Sequence, residues 1–161
     1  MAGCAKDESN VCVLMNSDFE QFDGWVPTLP PFLSEAKAHS GRYSYFVGAG
    51  AEFAGTYHTT LERCGFIPSR LQLRGWTYLS SGLIRATNVV VEVRCHDRRP
   101  NIWRALAIDQ VVRRYQQWEP ITKTILLPSD LEPTDEVWVS VWCPERGDSK
   151  YFDDLTLEAW R

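Results

Sequence analysis

Eight side chains in this sequence suit the recognition of a sugar. Trp76, Tyr78, Trp103, Trp138 and Trp142 offer flat rings, and Arg74, Glu92 and Arg94 stand at neighbouring alternate positions. A sugar presents apolar C–H faces and hydroxyl edges, so rings that stack and charged groups that read hydroxyls are what it needs from a protein. Chemistry that would turn over a substrate is harder to find. The three histidines, His39, His58 and His96, sit in no HExxH or comparable metal motif, and no GxSxG elbow, P-loop or dinucleotide fingerprint occurs. His96-Asp97 reads as a turn pair beside Arg98-Arg99. Abundant carboxylates in an acidic chain do not by themselves make a glycosidase. The chain is expected not to be an enzyme.

The elements that would carry these rings read as strands. Strand-like segments recur at Arg42–Val47, Glu52–Leu61, Arg70–Leu79, Asn88–His96, Ile102–Asp109, Glu119–Leu127, Glu136–Cys143 and Tyr151–Trp160, after a short apolar run from Val11 to Met15. Turn chemistry separates them at Gly48-Ala49-Gly50, Ser80-Ser81-Gly82, Arg99-Pro100-Asn101, Pro128-Ser129-Asp130 and Arg146-Gly147-Asp148. No window of helical length repeats convincingly; residues 110–117 could extend a strand or make one helical turn. Within the strands, Leu71, Leu73 and Leu79 oppose Gln72, Arg74, Trp76 and Tyr78. Val89, Val91, Val93 and Cys95 oppose Glu92, Arg94 and His96. Val137, Val139, Val141 and Cys143 oppose Trp138, Ser140 and Trp142, and Ile102, Leu106 and Ile108 oppose Trp103. One aliphatic side and one mixed aromatic side is the pattern of half-buried antiparallel strands, and two such sheets face to face make a sandwich. The sequence therefore predicts an all-β antiparallel sandwich with the eight residues on one shared outer platform. Trp25 and Trp118 read as core residues. Asp153 shares parity with Leu155 and Leu157, so it is expected to point inward, where a carboxylate needs a partner or a cation.

Length and charge bound the rest. At 161 residues the chain suits one domain with one core, taken as residues 11–161 after a flexible leader over residues 1–10. A net charge of −4, with only short basic pairs, argues against nucleic acid as a partner. No stretch approaches the roughly 20 apolar residues of a transmembrane helix.

The first residues and four internal segments carry a resemblance. Ala2-Gly3-Cys4 resembles the end of a bacterial lipobox, and Lys6-Asp7-Glu8 is similar to the signal that sends Bacteroidetes-type lipoproteins to the outer face of the outer membrane. The apolar stretch that precedes a lipobox is absent, so the chain is expected to start near a mature terminus, with Met1 added or substituted. Cys4 would then carry the lipid, leaving Cys12, Cys64, Cys95 and Cys143 for disulfides in three possible connectivities. Cys95 and Cys143 both end strand-like runs and could lie near each other. Asn16-Ser17-Asp18-Phe19-Glu20 with Gly24-Trp25, His39-Ser40-Gly41-Arg42-Tyr43-Ser44, Trp118 followed by Leu126-Leu127-Pro128, and Tyr151-Phe152-Asp153-Asp154-Leu155 resemble, in order, the signatures of carbohydrate-binding-module jelly rolls of families 4/9 and 22. The resemblance implies the galactose-binding-like sandwich. It also implies a structural calcium held by Glu20 and Asp153, with backbone from the Ser40-Gly41 turn, clamping the first strand to the last. The function expected is non-catalytic glycan binding by a secreted, lipid-anchored protein at the cell surface or outer membrane. The alternative is a structural or adhesive surface lipoprotein that binds protein partners.

Overall fold

The computed structural model describes residues 10–26, 32–48, 55–83, 86–144 and 148–161. Its strands are β1 (Val11–Ser17), β2 (Trp25–Val26), β3 (Leu33–Ser34), β4 (Ser44–Val47), β5 (Thr56–Thr60), β6 (Arg70–Leu79), β7 (Asn88–Arg94), β8 (Ile102–Ala107), β9 (Trp118–Leu126), β10 (Glu136–Trp142) and β11 (Lys150–Trp160). A 3-10 turn spans Leu61–Cys64, and one helical turn, α1 (Ile108–Val111), follows β8. The sequence patterns thus mark most strands to within a few residues. They miss β2 and β3, whose two-residue lengths are too short to show alternation.

All pairings are antiparallel and form two sheets. The first has the order β3-β4-β11-β6-β9, with β1 also paired to β11; the second has the order β2-β5-β10-β7-β8. Leu71, Leu73 and Leu79 of β6 and Leu155, Leu157 and Ala159 of β11 face Val89, Val91 and Val93 of β7 and Val137, Val139 and Val141 of β10, and all are buried in one core. The aliphatic side predicted for each strand is therefore the inside, and the fold is the expected all-β sandwich.

One region of the core is aromatic. Trp25, Phe19, Phe32, Tyr45 and Tyr57 pack with ring centroids 4.8–5.8 Å apart. Their polar atoms are satisfied: Trp25 Nε1 donates to Ser17 Oγ at 2.8 Å, and Tyr57 Oη donates to the Leu14 carbonyl at 2.6 Å. Gly24 turns the chain into Trp25 at φ 84°, and a Cβ there would stand 2.4 Å from the Tyr57 ring. The Asp-Phe-Glu and Gly-Trp segments thus have a packing reason to exist.

Several expectations need correction. Trp118 is not a core residue. It lies opposite Tyr78 on the outer side of the first sheet and is half-buried there. Asp153 is fully buried but does not enter the core, because β11 carries a bulge between Asp153 and Thr156, with Asp154 at φ 48°. The extra residue switches the alternation. Phe152 points inward before the bulge and Leu155 after it, while Asp153 faces outward beneath the 39–43 loop. Gly75 accommodates the bulge, since a Cβ on it would meet Leu155 at 2.4 Å.

Of the cysteines, Cys12 and Cys64 form a disulfide that ties β1 to the 3-10 turn, with Cα atoms 5.4 Å apart. Cys95 and Cys143 are buried thiols, not bonded to each other. Cys4 and the leader signals at residues 1–9 lie outside the described residues, as do parts of the turns at 48–50 and 146–148 and the first residues expected of the strand at 52–61.

Candidate functional site

The outer side of the second sheet is built by register. Ser140 of β10 lies opposite Thr56 of β5 and Val90 of β7, and Val90 lies opposite Ala105 of β8. These four side chains make a floor of small groups running across the strands. With neighbouring strands about 4.8 Å apart, that row is about 14 Å long. On one flank the next row reads His58, Trp138, Glu92 and Trp103; on the other, Trp142 stands opposite Asn88. Small residues between rows of large rings leave a trough. It holds a recess of 210 Å³ lined by Val90, Trp103, Ser140 and Trp142. A second recess of 290 Å³ extends it towards Thr56, Glu92, Arg94 and Trp138.

The rings in this trough differ in what they can offer. Trp138 is held on both flanks: the His58 ring lies 4.3 Å away from the β5 side, and the Arg94 guanidinium lies 4.2 Å away from the β7 side. Its indole N–H donates to Glu136 Oε2 at 2.9 Å. Trp138 is a fixed wall whose faces are largely taken by protein. Trp103, on the outermost strand, is 50% exposed and has free ring surface. Trp142 is half-buried and borders the smaller recess. The polar groups are pre-arranged: Glu92 accepts from Arg94 Nε at 3.0 Å and from Asn101 Nδ2 at 3.2 Å. The trough contains both signs of charge, with no surplus of cations for an anionic ligand.

The expected single platform is divided between two surfaces. Trp103, Trp138, Trp142, Glu92 and Arg94 share the trough, whereas Trp76, Tyr78 and Arg74 belong to β6 in the other sheet and face the opposite side of the sandwich. The parity of each strand is as predicted; the common surface is not, because β6 pairs with β9 and β11 rather than with β7 or β10. On that opposite side Trp76 stacks on His39 at 4.1 Å and 15°, and Lys37 sits 4.8 Å over the Tyr78 ring. Arg74 pairs with Glu158 at 3.4 Å. Phe46, Tyr151, Tyr78 and Trp118 complete a cross-strand aromatic row that packs on itself. These rings are engaged by their neighbours.

The carboxylates expected to hold calcium clamp the 39–43 loop through its amides. Asp153 Oδ2 accepts the backbone N–H of His39 at 2.7 Å and of Ser40 at 3.2 Å, and its Oδ1 accepts that of Asp154 at 2.8 Å. Glu20 Oε1 accepts the N–H groups of Arg42 and Tyr43, both at 2.7 Å. Gly41 allows this approach, since a Cβ would stand 2.5 Å from the Glu20 carboxylate. Both oxygens of Asp153 and one of Glu20 face N–H donors, and no cluster of three acidic, histidine or cysteine side chains forms among the described residues. A calcium ion, which prefers six to eight oxygen ligands, would need backbone carbonyls in addition to these two carboxylates. Burial outweighs the three amide donors at Asp153 and pushes its carboxyl up to about 6.

A cluster the sequence did not reveal lies beside this clamp. Asp154 accepts from Ser40 Oγ and contacts His39 Nδ1, both at 2.6 Å. The carboxylate stands between the hydroxyl and the imidazole, so the histidine is not placed to activate the serine as a nucleophile, and the trio fastens the 39–40 loop. Sequence reasoning also missed Thr56, Asn88, Val90 and Ala105 as trough residues. Ser140 was placed between two tryptophans by alternation, but only the cross-strand register shows that it continues into a floor.

No protein-family model matches this chain, and no curated protein matches its sequence. Solved structures share its fold. A family 16 carbohydrate-binding module superposes with a TM-score of 0.59 at 14% identity, covering 88% of this chain and 94% of that one. A family 22 xylan-binding domain from Paenibacillus barcinonensis gives 0.57 at 12% identity, covering 93% and 96%. The C-terminal family 22 module of a Clostridium thermocellum protein, described for the role of conserved amino acids in its cleft in ligand binding, gives 0.56 at 16% identity and 92% of each chain. Identities this low establish a common fold, the carbohydrate-binding-module sandwich, and leave the ligand to be argued from the site.

Proposed function

We propose that this protein is a non-catalytic carbohydrate-binding module whose ligand lies across the strands of the second sheet. The observation that carries this reading is the trough: a row of small side chains about 14 Å long, bordered by Trp103, Trp138 and Trp142 and edged by the Glu92–Arg94 pair. Trp103 and Trp142 supply ring surface for sugar faces, and the charged pair and Asn88 supply groups for hydroxyls. The balanced charge favours a neutral polysaccharide. The xylan-binding domains with this fold make soluble xylan the first probe.

A glycan array, followed by titration of the hits in calcium and in chelator, tests the reading. Retention of β-linked polysaccharides supports it. Failure to bind any glycan, with the domain folded, removes it in favour of a protein-binding surface module. Because both oxygens of Asp153 and one of Glu20 already accept amides, chelator is expected to leave binding unchanged. Chelator-sensitive binding would place an ion at this clamp after all. The Ala2-Gly3-Cys4 segment supports the further proposal that the module is displayed on a cell surface by a lipid on Cys4, checked by labelled fatty-acid incorporation in Cys4→Ala and parent chains.

A further inference from the structure

The first residue of β11 is anomalous. Lys150 lies between Val47 and Leu79 in the sheet, on the same side as Phe152, and is 1% exposed. A buried amine ordinarily faces a carboxylate, since burying a charge without a partner is very unfavourable. Here, among the described residues, the amine meets a sulfur: Nζ lies 3.3 Å from Cys143 Sγ. Cys143 is 3% exposed, and the fully buried Thr87 donates to the same sulfur at 3.5 Å. Two nucleophilic atoms of different elements are thus held in contact in a buried part of the sandwich.

We infer that Lys150 and Cys143 form a redox-sensitive covalent site, in which an oxidant of the dioxygen or peroxide class joins them through one oxygen atom as an N–O–S bridge. With dioxygen the step balances as amine plus thiol plus O2 giving the bridge plus water. One N–H and the S–H break, N–O and O–S bonds form, and the second oxygen leaves as water with both hydrogens. Nitrogen and sulfur each give up two electrons, and dioxygen takes all four. Two molecules of hydrogen peroxide serve equally and release three waters. The geometry favours the bridge over the usual oxidation of a thiol to sulfenic and sulfinic acids, because the amine nitrogen is already in contact with the sulfur. Cys95 is the internal comparison. It is equally buried, burial pushes its thiol pKa up, and its sulfur contacts the Val93 carbonyl at 3.8 Å rather than an amine. Cys143 directly follows Trp142, so the bridge would fix the strand end that carries one wall of the trough.

Peptide mass spectrometry tests this on the folded chain after exposure to air or hydrogen peroxide. The bridge adds one oxygen and removes two hydrogens, a gain of about 14 Da that thiol reductants reverse. Trypsin cuts at Arg146, between the two residues, so the bridge appears as two linked peptides. The expected result is that linked pair in the parent chain, its loss in Cys143→Ala and in Lys150→Met, and no link at Cys95. Oxygen added to Cys143 alone, with no linked peptides in the parent chain, overturns the inference, as does a thiol that stays unmodified after prolonged peroxide. The parent-chain map decides the matter even if a variant fails to fold.

Discussion

Replacing Trp103 with alanine separates the trough from every other aromatic surface of this protein. Half of the Trp103 side chain is accessible. A tryptophan offers on the order of 200 Å², so about 100 Å² is within reach of a ligand, and one sugar ring covers about half to all of that. At about 25 cal/mol per Å² the lost contact amounts to about 1.3 to 2.5 kcal/mol, a weakening of about 8- to 70-fold. The covered half of the ring is also about 100 Å², so at the same coefficient the folded state should lose up to about 2.5 kcal/mol, which the affinity comparison controls for by confirming that the variant is folded. Calorimetric titration with soluble xylan, or with the best ligand from the array, measures the effect. Trp142→Ala should weaken binding in the same direction with a larger stability loss, because that ring is more buried than that of Trp103. Trp76→Ala, on the opposite side and stacked on His39, should leave affinity unchanged. Wild-type affinity in Trp103→Ala, or lost affinity in Trp76→Ala, would refute the placement of the ligand.

Other outcomes follow from the same contacts. The Cys12–Cys64 disulfide closes a loop with a sequence separation of 52, so replacing both cysteines with serine should lower unfolding free energy by about 4 kcal/mol, read as a shift in the urea midpoint. The Asp153 carboxyl is raised to about 6 by burial. The folded chain therefore keeps a proton that the unfolded chain has already released between about pH 4 and 6, and stability should fall as pH rises through that window and level off above it. Urea unfolding across this range should show the slope in the parent chain and a flatter profile in Asp153→Asn. Gly24→Ala should cost about 1 to 3 kcal/mol in thermal or urea unfolding, because the position has φ 84° and its new Cβ would strike Tyr57.

What the amino-acid sequence settled is the side to which residues turn within the regular strands β6, β7, β8 and β10. Alternation is local, with a period of two, and it placed Val89, Val91, Val93, Val137, Val139 and Val141 inside and Trp138, Ser140, Trp142 and Trp103 outside, where the structure has them. Tertiary structure decided which outward sides become one surface. That depends on pairing between residues far apart in the chain: His58 with Trp138, Glu92 with Trp103, and Tyr78 with Trp118. No local pattern carries such information, so Trp76 and Trp138 look alike in sequence and end on opposite faces. The same holds for Asp153, whose inward parity was reversed by one bulged residue, Asp154, that alternation cannot anticipate. Strand interiors follow from the side chains themselves, whereas the site exists only once hydrogen bonding between distant strands has fixed their order and register.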